Sequence, residues 1–295
     1  MQTVLQERDD YPAANKSPRL ARRFDAVMTG GTLGRIGSLE VRLARNDAEI
    51  AAVQEVRFRV FYGELGARRD ALHSLEERDR DRFDALCDHL LVVDNALPGP
   101  DHRRIVGTYR LLRQESAAAA GGFYSDDEFE LEKLVARHPG QRFLELGRSC
   151  VLKEYRSKRT IEILWQGLYA YINHHAIGVM TGCASFHGTE PAAHAEALSY
   201  LAHYCRTEPQ WDVRAVAGRY RAMDMLPREA VNTRQAIAAL PPLIKGYLRV
   251  GARIGDGCVV DHDFGTTDVF IVMPVAEIGA RYLNYYGAEA ERFAA

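Results

Sequence analysis

The sequence predicts an α/β (α+β) chain, and three observations predict it. Strand-like runs lie on both sides of one strongly amphipathic helix near the middle of the chain. Turn-bounded strand pairs read as antiparallel hairpins, one early and one at the C-terminal end. Between the last of these elements, residues 190–250, punctuated by Pro191, Pro209, Pro227 and the Pro241-Pro242 pair, read as an additional helical segment. With 295 residues, 47% of them hydrophobic, the chain is long enough to bury a large core. Residues 36–290 are expected to form a single domain. Residues 1–35 carry Pro12, Pro18, a Gly30-Gly31 pair and no sustained apolar period, and are expected to form a flexible arm.

Taken in order, residues 39–44 alternate as a strand. Asn46 or Asp47 then caps a helix whose Ile50, Val53, Val60 and Phe61 repeat at helical spacing. Arg57 lies on that same apolar stripe, so it requires an anionic partner unless it snorkels at the rim. The charged stretch 68–88 reads as a solvated face. A helix there would gather Glu77, Asp81, Asp84 and Asp88 on one side, a surface suited to a cationic amine. Residues 89–94 and 104–113 read as a hairpin around Leu97-Pro98-Gly99-Pro100-Asp101, the second strand placing Arg110 among apolar neighbours; 117–122 reads as a mobile loop.

A further strand covers 143–152 and contains Glu145-Leu146-Gly147-Arg148. The basic turn Tyr155-Arg156-Ser157-Lys158-Arg159 follows, then a helix capped by Thr160 with a stripe of Ile161, Leu164, Trp165, Leu168 and Ile172. A helix N-terminus preceded by cations is a ready phosphate site. Residues 178–186 form another strand, and 257–260 and 268–274 form the terminal hairpin around Asp261-His262-Asp263-Phe264-Gly265.

Composition excludes several classes. Thirty-eight Lys+Arg against forty Asp+Glu give a formal charge of -2, which removes the broad positive field of a nonspecific nucleic-acid binder. No signal-peptide pattern or membrane-spanning apolar run is visible, so a cytosolic protein is expected. Lys16, Arg19, Arg22 and Arg23 of the arm suit transient contact with the anionic inner-membrane surface or an acidic protein, a solvated tail being the plainer alternative. The five cysteines form no C-x-x-C pair and read as reduced; the histidines show no ligand spacing, so no metal is expected. Walker, dinucleotide-binding and G-x-S-x-G motifs are lacking.

Four motifs carry a resemblance. Val56-Arg57-Phe58-Arg59-Val60-Phe61, Asp81-Arg82-Phe83-Asp84, Gly107-Thr108-Tyr109-Arg110 and Glu145-Leu146-Gly147-Arg148-Ser149 follow the order seen in acyl-homoserine-lactone synthases of the GNAT superfamily. The block from Glu145 to Leu168, with Tyr155-Arg156 and Leu164-Trp165-Gln166-Gly167-Leu168, and the later Gly182-Cys183-Ala184-Ser185-Phe186, more specifically resemble the L-ornithine N-alpha-acyltransferases of ornithine-lipid synthesis. The resemblance runs from about residue 39 to 274. It implies a GNAT-like fold, with a central mixed and mainly antiparallel twisted sheet flanked by helices. It also implies transfer of a 3-hydroxyacyl group from acyl carrier protein to the alpha-amine of L-ornithine, giving lyso-ornithine lipid. No cofactor would be permanently bound; the phosphopantetheine of the carrier protein would serve as donor arm.

The chain departs from the superfamily's glycine-rich turn after the central strand, where Ser157, Lys158, Arg159 and Thr160 stand instead. Exposed bases suit one phosphodiester and an acidic carrier surface better than a pyrophosphate, so Arg156, Lys158, Arg159 and Thr160 are the candidate donor-binding residues. Acyl transfer to an amine needs a free amine, a polarised thioester and a site for the acceptor's carboxylate. Glu145 is the candidate general base, with Arg148 holding its charge or binding the carboxylate. The two point to opposite faces of a regular strand, and a bulge at Gly147 would turn both into one cleft and free a backbone N–H for the oxyanion. A structural Glu–Arg pair is the alternative. The resemblance places Asp81 and Asp84 at the acceptor's ammonium and Arg57 or Arg110 at its carboxylate; the plainer alternative is an internal network among these four, and the two are not exclusive, since a network can shape the pocket. Other readings are an acyl-homoserine-lactone synthase and a non-catalytic carrier-protein or lipid-binding module.

Overall fold

The computed structural model describes residues 28, 31–68 and 75–279. Lys16, Arg19, Arg22 and Arg23 of the expected arm, and the end of the expected domain beyond 279, lie outside the described residues.

Eight strands form one sheet in the order β1-β2-β3-β4-β5-β6-β8-β7. They are β1 (Gly34–Ile36), β2 (Leu39–Leu43), β3 (Asp88–Asp94), β4 (Ile105–Arg113), β5 (Phe143–Val151), β6 (Val179–His187), β7 (Arg253–Asp261) and β8 (Thr266–Pro274). Neighbours pair antiparallel except β5 and β6, which run parallel over three registered pairs, from Phe143↔Val179 to Glu145↔Thr181. A parallel pair needs a crossover, and the amphipathic central helix supplies it.

Helix α1 (Asp47–Phe58) starts at Asn46, whose side chain accepts from the Glu49 N–H, and covers one sheet face, where Glu49 meets Arg42 at 2.7 Å. The chain then widens into a π turn, Arg59–Glu64. On the opposite face lies α4 (Lys158–His174). It packs so closely that a Cβ at Gly167 would stand 2.6 Å from Val41 and 3.1 Å from Leu90. Its cap is Ser157 rather than the expected Thr160, and its buried stripe uses Ile163 and Tyr171, whereas Ile161 is exposed. The helix thus starts three residues earlier than expected.

Two expectations fail locally. Residues 114–120 form a helix, α2 (Gln114–Ala120), because the alanine run favours helix, Gly121 at φ 83 closes it and Ala117 is buried. Residues 78–88 form no helix: Glu77 at φ 51 ends a short turn, and the acids disperse to different partners. Helix α3 (Leu131–Arg137) follows, and α5 (Ala195–Tyr204), α6 (Thr233–Ala239) and α7 (Pro242–Val250) occupy the expected helical segment. That segment is less helical than expected: 212–227 runs irregularly beside β7 through bridges Arg214↔Asp256 and Arg221↔Cys258. The terminal strands are longer than expected, and β8 is interior to the sheet.

Candidate active site

Arg57 sits at the last turn of α1, wholly buried. Its Nε donates to Asp79 Oδ2 at 2.7 Å, Nη1 to Asp84 Oδ1 at 2.8 Å, and Nη2 to the Asp79 carbonyl at 2.6 Å and Asp84 Oδ2 at 3.1 Å. Arg110, on β4, donates from Nη1 to both Asp81 oxygens at 2.7 Å and to Asp84 Oδ1 at 3.1 Å. Arg148, on β5, reaches Asp79 Oδ2 at 3.1 Å, Asp81 Oδ2 at 3.4 Å and the Tyr124 hydroxyl at 3.2 Å. Three guanidinium groups and three carboxylates thus close into a neutral network, which Tyr62 and Gln54 extend through Asp79 and Asp84. This is the internal-network alternative for Arg57, Asp81, Asp84 and Arg110.

Burial alone would push the Asp79 and Asp84 carboxyls up. The neighbouring guanidinium charges outweigh it and hold both below the usual carboxylate range, Asp84 strongly so. Both Asp84 oxygens accept within the network, from Arg57, Arg110, Gln54 and the Asp81 N–H. Asp81, with about a quarter of its side chain exposed (24%), lies at the solvent edge. Asp79, 2% exposed and central to the network, was missed at the sequence level because it lies outside the three-four spacing that singled out its neighbours.

The β4–β5 ladder pairs Thr108 with Cys150 and Arg110 with Gly147, so Arg148 and Ser149 stand opposite Tyr109 alone. The bulge expected at Gly147 is therefore centred at Arg148, whose φ of 51 is left-handed. This turns Arg148 toward Tyr124 on the face that also holds Glu145. The two do not pair. Glu145, 3% exposed, accepts from the N–H of Tyr124 at 2.7 Å, the N–H of Ser125 at 2.9 Å and the Ser125 hydroxyl. Burial pushes its carboxyl above the ordinary range, and the Ser125 and Tyr124 donors oppose that only in part. Arg148 stacks over Tyr124 and over Phe264 of the β7–β8 turn, at 4.7 and 4.5 Å.

Beyond Glu145↔Thr181 the β5–β6 ladder stops. At the fork Gly182 has φ 153 and lies so near β5 that a Cβ there would stand 2.3 Å from the Leu146 carbonyl oxygen. The fork is lined by Leu146, Met180, Thr181, Gly182, Tyr247, Ile271 and Met273 and is tightly packed. It is mostly apolar, and Tyr247 comes from α7, in the helical segment to which the sequence assigned no role. The Tyr247 hydroxyl is hydrogen-bonded to that of Tyr109.

Arg156, Lys158 and Arg159 are exposed around the start of α4, and Arg156 pairs with Glu64 at 2.6 Å. Thr160 does not join them: it is buried, and its hydroxyl donates to the Tyr155 carbonyl at 2.5 Å. Among the described residues, one group of side chains has metal-ligand types close together: Glu128, Asp261 and Asp268, with carboxylate oxygens within 4.8 Å of one another. No helix among them is long and apolar enough to cross a membrane.

Residues 56–166 match the family model described as Acetyltransferase (GNAT) domain. A protein of Brucella abortus (strain 2308) named L-ornithine N(alpha)-acyltransferase is 61% identical over 273 residues, covering 92% of this chain and 96% of that protein. One of the same name from Agrobacterium fabrum (strain C58) is 58% identical over 262 residues, 89% of each. Among solved structures, an N-acyl amino acid synthase from uncultured soil microbes aligns at 10% identity and a TM-score of 0.47, covering 81% of this chain and 92% of that one. The 61% and 58% identities extend over nearly the full length of both partners, and the chain belongs to the L-ornithine N(alpha)-acyltransferase family.

Proposed function

We propose that this acyltransferase moves a 3-hydroxyacyl group from the phosphopantetheine thioester of acyl carrier protein to the alpha-amine of L-ornithine, forming lyso-ornithine lipid, the first step of ornithine-lipid synthesis. The observation that carries the reading is the fork of β5 and β6. It leaves Glu145, a buried carboxylate gripped by three donors, as the last paired residue of β5 on one sheet face, with the apolar fork lined by Leu146, Met180 and Gly182 behind it.

In this reading the alpha-ammonium of ornithine loses a proton to Glu145. The free amine attacks the thioester carbonyl, the C–N bond forms, and the C–S bond breaks as the carrier thiol leaves with a proton. The apolar side chains of the fork under Tyr247 move aside to receive the start of the acyl chain. Arg148, held by Asp79 and Asp81 at the solvent edge, offers its charge to the ornithine carboxylate. Arg57, Arg110 and Asp84, more deeply buried than Arg148, act as positioning residues. Exposed Lys158 and Arg159, with Arg156, meet the donor's phosphodiester and the acidic carrier. A product with one acyl chain needs only transient contact with the inner-membrane surface.

Purified protein incubated with 3-hydroxyacyl carrier protein and ornithine should yield the amide by mass spectrometry, and Glu145→Gln should slow it roughly 10²-fold or more. Because the base must be deprotonated and its carboxyl is raised, the wild-type rate should climb with pH through a value above the ~4.3 of a free glutamate. A near-normal rate for Glu145→Gln, with the same pH profile, removes Glu145 from the role.

A further inference from the structure

The carboxylates of the first network are taken by its own guanidinium groups, yet the proposed acceptor carries a second ammonium on its side chain. A different part of the same sheet face has surplus negative charge. Along a strand alternate residues share a face, and the register aligns Glu145 with Thr181, Cys183 with Phe270 and Ser185 with Asp268. Thr181, Cys183, Ser185 and Asp268 therefore continue the face that begins at Glu145. Glu128 and Asp261 close over Asp268 to complete the three-carboxylate group.

Of these three charges, Arg219 offsets one, at 2.9 Å from Glu128 Oε1. Three buried oxygens on this face also lack a hydrogen-bond partner: Oδ1 of Asp268, 6% exposed, Oγ1 of its strand neighbour Thr266, and Oγ1 of Thr181, 2% exposed and between Glu145 and Cys183 along the face. Buried polar atoms are seldom left unmatched, so the Asp268 oxygen marks a place where a donor belongs. The cost is visible in Asp268 itself, whose carboxyl burial and the neighbouring Glu128 push up to about 7.

The position suits the acceptor. Ser125 Oγ bonds Glu145 and lies 3.3 Å from Cys183 Sγ, which lies 3.4 Å from Glu128 Oε2. Two small side chains thus separate the base from the acids, the scale of the short aliphatic chain between the two amines of ornithine. Asp261, half-buried, stands on the solvent side of the group, and Asp268 forms its floor.

We infer that Asp268, Glu128 and Asp261 receive the side-chain ammonium of the acceptor, so that selection of a basic amino acid is made on the β6–β8 side of the site and not by Asp81 and Asp84. The inference rests on the ornithine reading above. Norvaline, which has the same carbon chain without the terminal amine, separates the two.

Wild-type enzyme should prefer ornithine to norvaline in kcat/KM, and Asp268→Asn should reduce that preference ~10²-fold or more, as loss of one partner of a buried charge pair does. Asp261→Asn, at the half-exposed hairpin turn, carries the same readout where Asp268→Asn does not fold, as judged by circular dichroism. An unaltered preference in the folded variants overturns the inference, as does a wild type that acylates both acceptors equally. A wild type inactivated by EDTA and restored by Mn²⁺, with Asp268→Asn blind to the metal, overturns it in favour of a divalent-cation site. No amide from ornithine at all instead refutes the acyl-transfer reading on which it stands.

Discussion

Arg57, Arg110 and Arg148 are cations in or beside a hydrophobic core, and each is tolerated because its carboxylate partners are hydrogen-bonded to it as well as near it. Removing one partner leaves an uncompensated buried charge, so Asp84→Asn should destabilise the protein by about 3–5 kcal/mol in urea unfolding. The pH dependence has a definite sign. Asp79 and Asp84 have depressed folded-state values, so their stabilisation is complete above the unfolded carboxylate value of ~3.9 and is lost as pH falls below it through the folded values. Acid titration of the urea midpoint should show that loss, and Asp84→Asn should make it shallower. Arg57 was legible as a buried cation needing an anion because its place on the helical stripe is a local property. Which anion it found was not, since Asp79 and Asp84 reach it from a non-helical segment whose course no periodicity reveals.

Among the elements, the β5–β6 pair decides where chemistry can occur. Its ladder ends at Glu145↔Thr181, and the approach of the strands at the fork depends on Gly182. Gly182→Ala would set a Cβ against the Leu146 carbonyl at a φ that side chains rarely adopt. A melting experiment should register a loss of about 2–3 kcal/mol, with activity falling as the strands part. The strands and the central helix were readable from alternation and 3.6-residue period. The bulge at Arg148 was anticipated one residue early, because glycine is the usual residue for such a turn and here an arginine takes the left-handed conformation. The alanine-rich α2 was misread as a loop: four alanines lack an apolar stripe but have high intrinsic helix propensity.

At the scale of the whole molecule, net charge near zero conceals a division: matched charges in the Arg/Asp network, unmatched acids on the β6–β8 side and exposed bases at the start of α4. Lys158→Glu with Arg159→Glu should raise the KM for the carrier protein about tenfold, more at low salt, and leave the KM for ornithine little changed. Initial-rate kinetics against each substrate separates the two. The three-carboxylate group escaped the sequence reading because Glu128, Asp261 and Asp268 are brought together only by the sheet; the shared face could be inferred only once β6 was known to pair with β8. That pairing has a temporal consequence. β8 lies between β6 and β7 and holds Asp268, while the turn before it supplies Phe264 against Arg148. During synthesis the ribosome releases this interior strand last among those described, so β6 waits with one edge unpaired until the end. A nascent chain lacking β8 has no finished site, and activity begins only after that final strand has docked.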